Sequence, residues 1–210
     1  MKKIYLLTVA VLMLACGSNR TQKMLSYGNF DEAINKSIRK LASNKNSKGN
    51  QDFVYILQDA YAKANAQDIG AINVFTKEAN QANFEKLYNL YCKLAERQEK
   101  VRPLLPLKLL KEQRDAYFEM NDYSDEIISS KNGLSNYLYA NSIKLLESNN
   151  KADIRQAFDD LVYLDKLNPN YKDVRKKMDE AQFRGTDFVH VYTKNETNMV
   201  IPVRLQDDLL

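Results

Sequence analysis

The residues that could do chemistry by type and position are few: two cysteines, one histidine and several adjacent carboxylates. A thiol can be acylated, oxidised or bound to a metal, an imidazole can move a proton, and two facing carboxylates can act as acid and base. Cys16 stands directly behind an apolar N-terminal run and the small residue Ala15, a placement that points to acylation, with an incidental thiol as the alternative. Cys92 lies at the edge of an apolar helical stripe, where a free Cys packs as a small hydrophobe. His190 is the sole imidazole and has no second ligand beside it, so it reads as a packed side chain rather than a metal site. The pairs Asp31/Glu32, Asp159/Asp160 and Asp207/Asp208 are sequence neighbours. On a helix such neighbours diverge by about 100° and cannot face each other, so they read as first-turn charges or solvated faces. The phosphate-loop, dinucleotide, zinc-protease, C-x-x-C and nucleophile-elbow patterns are absent, and the sequence nominates no catalytic, cofactor-binding or metal-binding residue.

Met1-Lys2-Lys3 is a positive start, and Ile4 to Ala15 is an apolar stretch of twelve residues broken only by Thr8. That is too short for a permanent membrane span, and residues 1–15 read as a signal peptide. The run Leu12-Met13-Leu14-Ala15-Cys16-Gly17-Ser18 resembles the lipobox of bacterial lipoproteins. It matches at Ala15 and Cys16 and departs at Met13 and Leu14, where Leu and a small residue are usual. The resemblance implies that Cys16 is the lipidated first residue of the mature chain, carrying palmitate-type acyl groups, with 16–20 as a linker. Two or three acyl chains at about 0.8 kcal/mol per buried CH₂ make a stable anchor where one is marginal. The alternative is an ordinary cleaved signal peptide, or an apolar anchor that stays on.

Charge argues against nucleic acid as a partner. Removing residues 1–15 takes away Lys2 and Lys3 and no acid, so the net charge of +4 falls to +2. Phosphate binding needs a concentrated basic stripe, which a well-mixed, near-neutral chain lacks. The one dense excess is Lys36, Arg39, Lys40, Lys45 and Lys48, uninterrupted by an acid. It reads as a solvated helix end and loop, with a patch for anionic lipid or an acidic partner as the alternative.

From Thr21 onward apolar residues recur at three and four, and the 6 Gly and 4 Pro fall at joints. The spacing predicts helices near 22–27, 30–43, 51–66, 68–80, 83–100, 107–120, 122–148 (broken near Gly133), 151–167 and 171–183. Phe84, Leu87, Tyr88, Tyr91, Leu94 and Ala95 form one apolar face. Pro103 and Pro106 end that helix; Leu104 and Leu105 between them either pack into the next hairpin or form a docking spot. The fold class expected is all-α, with antiparallel helical hairpins over 21–184.

Gly28-Asn29-Phe30-Asp31-Glu32-Ala33-Ile34 resembles the second helix of a tetratricopeptide repeat. Ala157-Phe158-Asp159-Asp160-Leu161 through Leu167-Asn168-Pro169 matches the A-x₃-F…P half of the motif. Neither repeat is complete: Leu145 and Ser148 stand where Gly and Tyr are expected. With Arg97 to Leu107, Tyr123 to Ile128 and Asn168 to Asp173, these stretches are similar to a family of tetratricopeptide-like lipoproteins of the Gram-negative envelope. The resemblance implies a stacked, TPR-like helical array and an envelope location, and carries over no catalytic residue. Gly17 after the Cys, in place of the Asp that marks inner-membrane retention, favours the outer membrane.

After Gly185 the pattern turns β-branched and aromatic, Thr186 to Thr193, then polar, then Met199-Val200-Ile201. Residues 185–210 therefore read as a short β-hairpin near the C-terminus, with the opening of a further domain beyond Leu210 as the expectation. The function expected is a non-catalytic scaffold with no cofactor, anchored in the membrane through Cys16 and binding envelope proteins, for instance in outer-membrane assembly. The alternatives are a surface glycan- or ligand-binding lipoprotein, against which the absence of Trp counts, and the front part of a longer protein whose activity lies after residue 210.

Overall fold

A computed structural model describes residues 18–78 and 80–192 of the chain. It divides into two compact units, with the boundary between Tyr137 and Leu138. The architecture is all-α, built from helical hairpins, with one two-stranded antiparallel hairpin among the described residues.

In the first unit the chain is already helical at residues 18–26 (α1), so helix occupies 18–20, assigned above to a linker. Ser18, Thr21 and Leu25 supply the reason, because all three are buried. Gly28 at φ +79° turns the chain into α2, Phe30–Ser43; the left-handed φ is what requires glycine. A short 3₁₀ turn, Lys48–Asn50, leads into α3, Gln51–Glu78. Expected as two helices, α3 is continuous through Gly70, where no neighbour stands close enough to demand a bend. A 3₁₀ turn, Gln81–Asn83, then opens α4, Phe84–Val101. The core combines Ala33, Ile34 and Leu41 of α2 with Phe53, Val54, Leu57, Ala60 and Tyr61 of α3 and Val101 of α4.

Residues 107–120 do not form the expected helix. Leu107 and Leu109 are buried while Lys108 and Leu110 are exposed, the period-two alternation of a strand. Lys108–Leu109 (β1) pairs with Arg114–Asp115 (β2) in the register Lys108↔Asp115, Leu109↔Arg114, and Gln113 closes the turn at φ +50°. Leu104 is buried and Leu105 packs against the same core, so the docking alternative for this pair is set aside. Residues 116–123 continue without regular structure to α5, Ser124–Leu146. α5 is not broken at Gly133: a Cβ there would stand 2.7 Å from the Phe84 ring, so this glycine serves close packing within the first unit, not a joint.

The second unit holds the end of α5 with α6, Lys151–Leu167, and α7, Val174–Gly185. Asn150 caps α6 by accepting from the Ala152 N–H at 2.9 Å. Ile154, Ala157, Leu161 and Leu164 of α6 bury with Val174 and Ala181 of α7. Of the tail expected to form a hairpin, residues 186–192 carry no strand, and 193–210 lie outside the described residues.

Candidate functional site

Of the residues singled out by type, Cys16, Asp207 and Asp208 lie outside the described residues. Cys92 is half-buried on α4 as a free thiol, close to Tyr88, whose phenol is raised by burial and then by its hydrogen bond to that thiol. His190 is exposed, with its ring 6.4 Å from that of Tyr192. Asp160 accepts from Asn141 at 3.0 Å and Gln156 at 2.8 Å, while Glu32 is exposed. Among the described residues no three His, Cys, Asp or Glu side chains gather as a metal site would require.

Asp31 alone of these belongs to a built cluster, and its principal partner was not foreseen. Arg97 on α4 is only 3% exposed. Its Nη2 donates to Asp68 Oδ2 of α3 at 2.6 Å and to Asp31 Oδ1 of α2 at 2.9 Å; its Nε reaches the same Asp31 oxygen at 3.2 Å and its Nη1 donates to Asn65 Oδ1 at 2.7 Å. One turn earlier on α4, Lys93 Nζ lies 2.9 Å from Asp31 Oδ2 and 3.3 Å from Asp68 Oδ1. Two cations thus meet two carboxylates, and the planar guanidinium of α4 engages groups of α2 and α3 at once, joining three helices. A groove of about 410 Å³ runs beside them, lined by Gly28 to Glu32, Ala64, Gln67, Asp68 and Lys93.

The electrostatics define what this cluster can do. Burial works to raise the Asp31 carboxyl, but the hydrogen bonds from Lys93 and Arg97 outweigh it and hold the carboxyl below the ordinary range. Burial works to lower Lys93, and its bond to Asp31 and the nearby Asp68 charge outweigh that and raise it. The carboxylate is therefore a poor base and the amine a poor nucleophile. The arrangement braces α2, α3 and α4. Sequence did carry a trace of it, because Arg97 falls three after Leu94 and four before Val101, both fully buried.

A second set of polar contacts pins the irregular stretch after the strand hairpin. Gln51 and Gln58 of α3 accept from the Leu110 and Tyr117 N–H groups at 3.1 and 2.9 Å, and Gln98 of α4 accepts from the Asn121 N–H at 3.1 Å. The Tyr61 hydroxyl donates to the Glu119 carbonyl at 2.6 Å, and its ring meets Phe118 edge-on at 5.3 Å. Backbone groups with no helical partner are satisfied by side chains of the helices beneath them.

In the second unit Lys172 Nζ sits over the rings of Tyr139 and Tyr171 at 4.3 and 5.0 Å, and the Tyr139 hydroxyl donates to Asp173 at 2.6 Å. Phe183 and Phe188, 70% and 75% exposed, lie 5.8 Å apart beside exposed Val189, Val191 and Tyr192. Among the described residues no helix is long and apolar enough to cross a membrane. No protein-family model, curated protein or solved structure matches the chain.

Proposed function

We propose that this chain is a non-catalytic, lipid-anchored protein of the bacterial envelope whose helical hairpins form a scaffold for another envelope protein. The observation that carries the reading is the sequence Ile4 to Cys16, an apolar segment ending in Ala15 and a thiol, followed within two residues by the packed helical body. Acylation is the chemistry that gives such a thiol a purpose. The paired state of Asp31, Asp68, Lys93 and Arg97 supports a bracing rather than a catalytic role for the cluster. The exposed aromatic and aliphatic side chains from Phe183 to Tyr192 offer contact area of the kind protein partners use. The outer membrane is the favoured location.

Radioactive palmitate fed to cells tests the anchor: the parent chain should label and Cys16→Ala should not, and a labelled variant rejects this assignment. Crosslinking in intact cells, then affinity purification and mass spectrometry, tests the scaffold. One stoichiometric envelope protein should be recovered, and lost from a Phe183→Ala, Phe188→Ala variant. Recovery of no protein with the anchor intact overturns the scaffold reading.

A further inference from the structure

One end of the first unit gathers elements distant in sequence. α2 and α3 form a hairpin across a short connection, so the end of α2, the Lys48–Asn50 turn and the start of α3 lie together; Asn50 Nδ2 donates to the Lys40 and Asn44 carbonyls at 3.3 and 2.9 Å. The strand hairpin joins them where the Leu110 N–H donates to Gln51. Residues 18–22 of α1 are there too, because a single groove is lined by Ser18, Asn19 and Gln22 of α1, Asp52 and Tyr55 of α3, and Lys111 of the hairpin.

This end is cationic. Arg20, Lys48, Lys108, Lys111 and Arg114 are exposed on it, and half-buried Lys45 donates to the Leu104 carbonyl at 3.0 Å. The acids among the same elements are Asp52, Glu112 and Asp115, of which Glu112 lies 3.5 Å from Arg114. Exposed Leu110 stands at the turn of the hairpin between Lys108 and Lys111, an apolar tip flanked by long cationic stems as interfacial segments carry.

We propose that this end is a docking surface for anionic phospholipid headgroups, seated on the bilayer that holds the acyl chains of Cys16; the proposal rests on the lipoprotein reading above. Two residues of chain span at most about 7 Å, so an acylated Cys16 holds buried Ser18 within a Debye length of the headgroups, about 8–10 Å. The unit stands on the membrane by this face, without a long tether. Lys77, near the other end of the 28-residue α3, is held roughly 40 Å away.

The test uses the full lipidated chain with Cys92→Ser, carrying a bimane at Leu110→Cys or at Lys77→Cys. The chain is placed in phosphatidylcholine vesicles containing phosphatidylglycerol and a headgroup nitroxide. Fluorescence at 110 should be quenched and that at 77 spared. Each cation removed should lower the ratio of docked to undocked protein about fivefold. Lys48→Gln, Lys108→Gln and Lys111→Gln together should lower it roughly a hundredfold, abolishing the quenching while palmitate stays on Cys16 and helicity by circular dichroism is unchanged. Equal quenching at 110 and 77, or quenching at 110 that survives the triple change or pure phosphatidylcholine, overturns the docking surface and leaves the lipoprotein reading standing. Absence of palmitate from the parent chain overturns both.

Discussion

The two units are built from the same element, an antiparallel helical hairpin, yet they fill their interiors differently. The first unit buries charge: Arg97 and Asp68 are 3% and 7% exposed and sit among Asn65, Asp31 and Lys93. The second buries Ile154, Ala157, Leu161, Leu164, Val174 and Ala181 between its two main helices, and its ion pairs, Arg155 with Asp187 at 2.6 Å and Lys177 with Glu180 at 2.9 Å, lie at the surface. The difference teaches what each kind of interior depends on. Aliphatic packing is nondirectional and weakens in proportion to what is removed. A buried ion cluster gains little as a whole over an apolar one, but every member depends on the others, so removing one leaves its partners desolvated.

Removing the guanidinium should break this comparison most sharply. Breaking a buried pair costs about 3–5 kcal/mol, and Lys93 still reaches Asp68 at 3.3 Å, so Arg97→Met should fall near the lower end. Amide exchange followed segment by segment should show the loss in residues 18–137. Adding Asp68→Leu should recover part of it, and a double variant less stable than the single would refute the cluster's interdependence. Next, Leu161→Ala in the second unit should cost about 2–4 kcal/mol by leaving a cavity, with faster exchange in α6 and α7.

Tyr61→Phe should cost about 1 kcal/mol, the value of one hydrogen bond, and should expose the Glu119 to Asn121 stretch to exchange first. A smaller effect should appear only in acid. Asp31 titrates below its ordinary value in the folded chain, so its contribution is full above the unfolded pKa, about 3.9, and is lost as pH falls through the folded one. Urea midpoints measured downward from pH 6 should therefore fall more steeply for the parent than for Asp31→Asn; parallel curves would remove Asp31 from the account. Least of all, Asp187→Asn at the exposed Arg155 and Lys151 pairing, half in solvent, should leave the urea midpoint indistinguishable from the parent.

Much of the helical body was legible. The 30–43 and 151–167 segments are the helices observed, because period and punctuation agree there and Asn150 caps the second. The glycines mislead in two places: Gly70 and Gly133 read as joints by residue type, but a glycine within a strong helical pattern costs only about 1 kcal/mol, and at Gly133 the missing Cβ admits Phe84. The 107–120 stretch was misread for another reason. Leu107, Leu109 and Leu110 suit a helix by propensity, whereas the Leu107-Lys108-Leu109 alternation, too short to count alone, is what the core selected. Of the candidate site the sequence shows Asp31 only as a first-turn charge or solvated face, and Arg97 only by its place between buried Leu94 and Val101; Asp68, Asn65 and Asp31 lie 29, 32 and 66 residues from Arg97, and no local pattern announces such a meeting.

Local order alone determined the thiol behind the apolar N-terminal run, the all-α class and most helix boundaries, because these depend on residues within a few turns of one another. The tertiary structure decided which polar side chains are buried. It also decided which end of the first unit collects the cations beside α1. Desolvation and charge act through space, and only the packed helices say which residues share it.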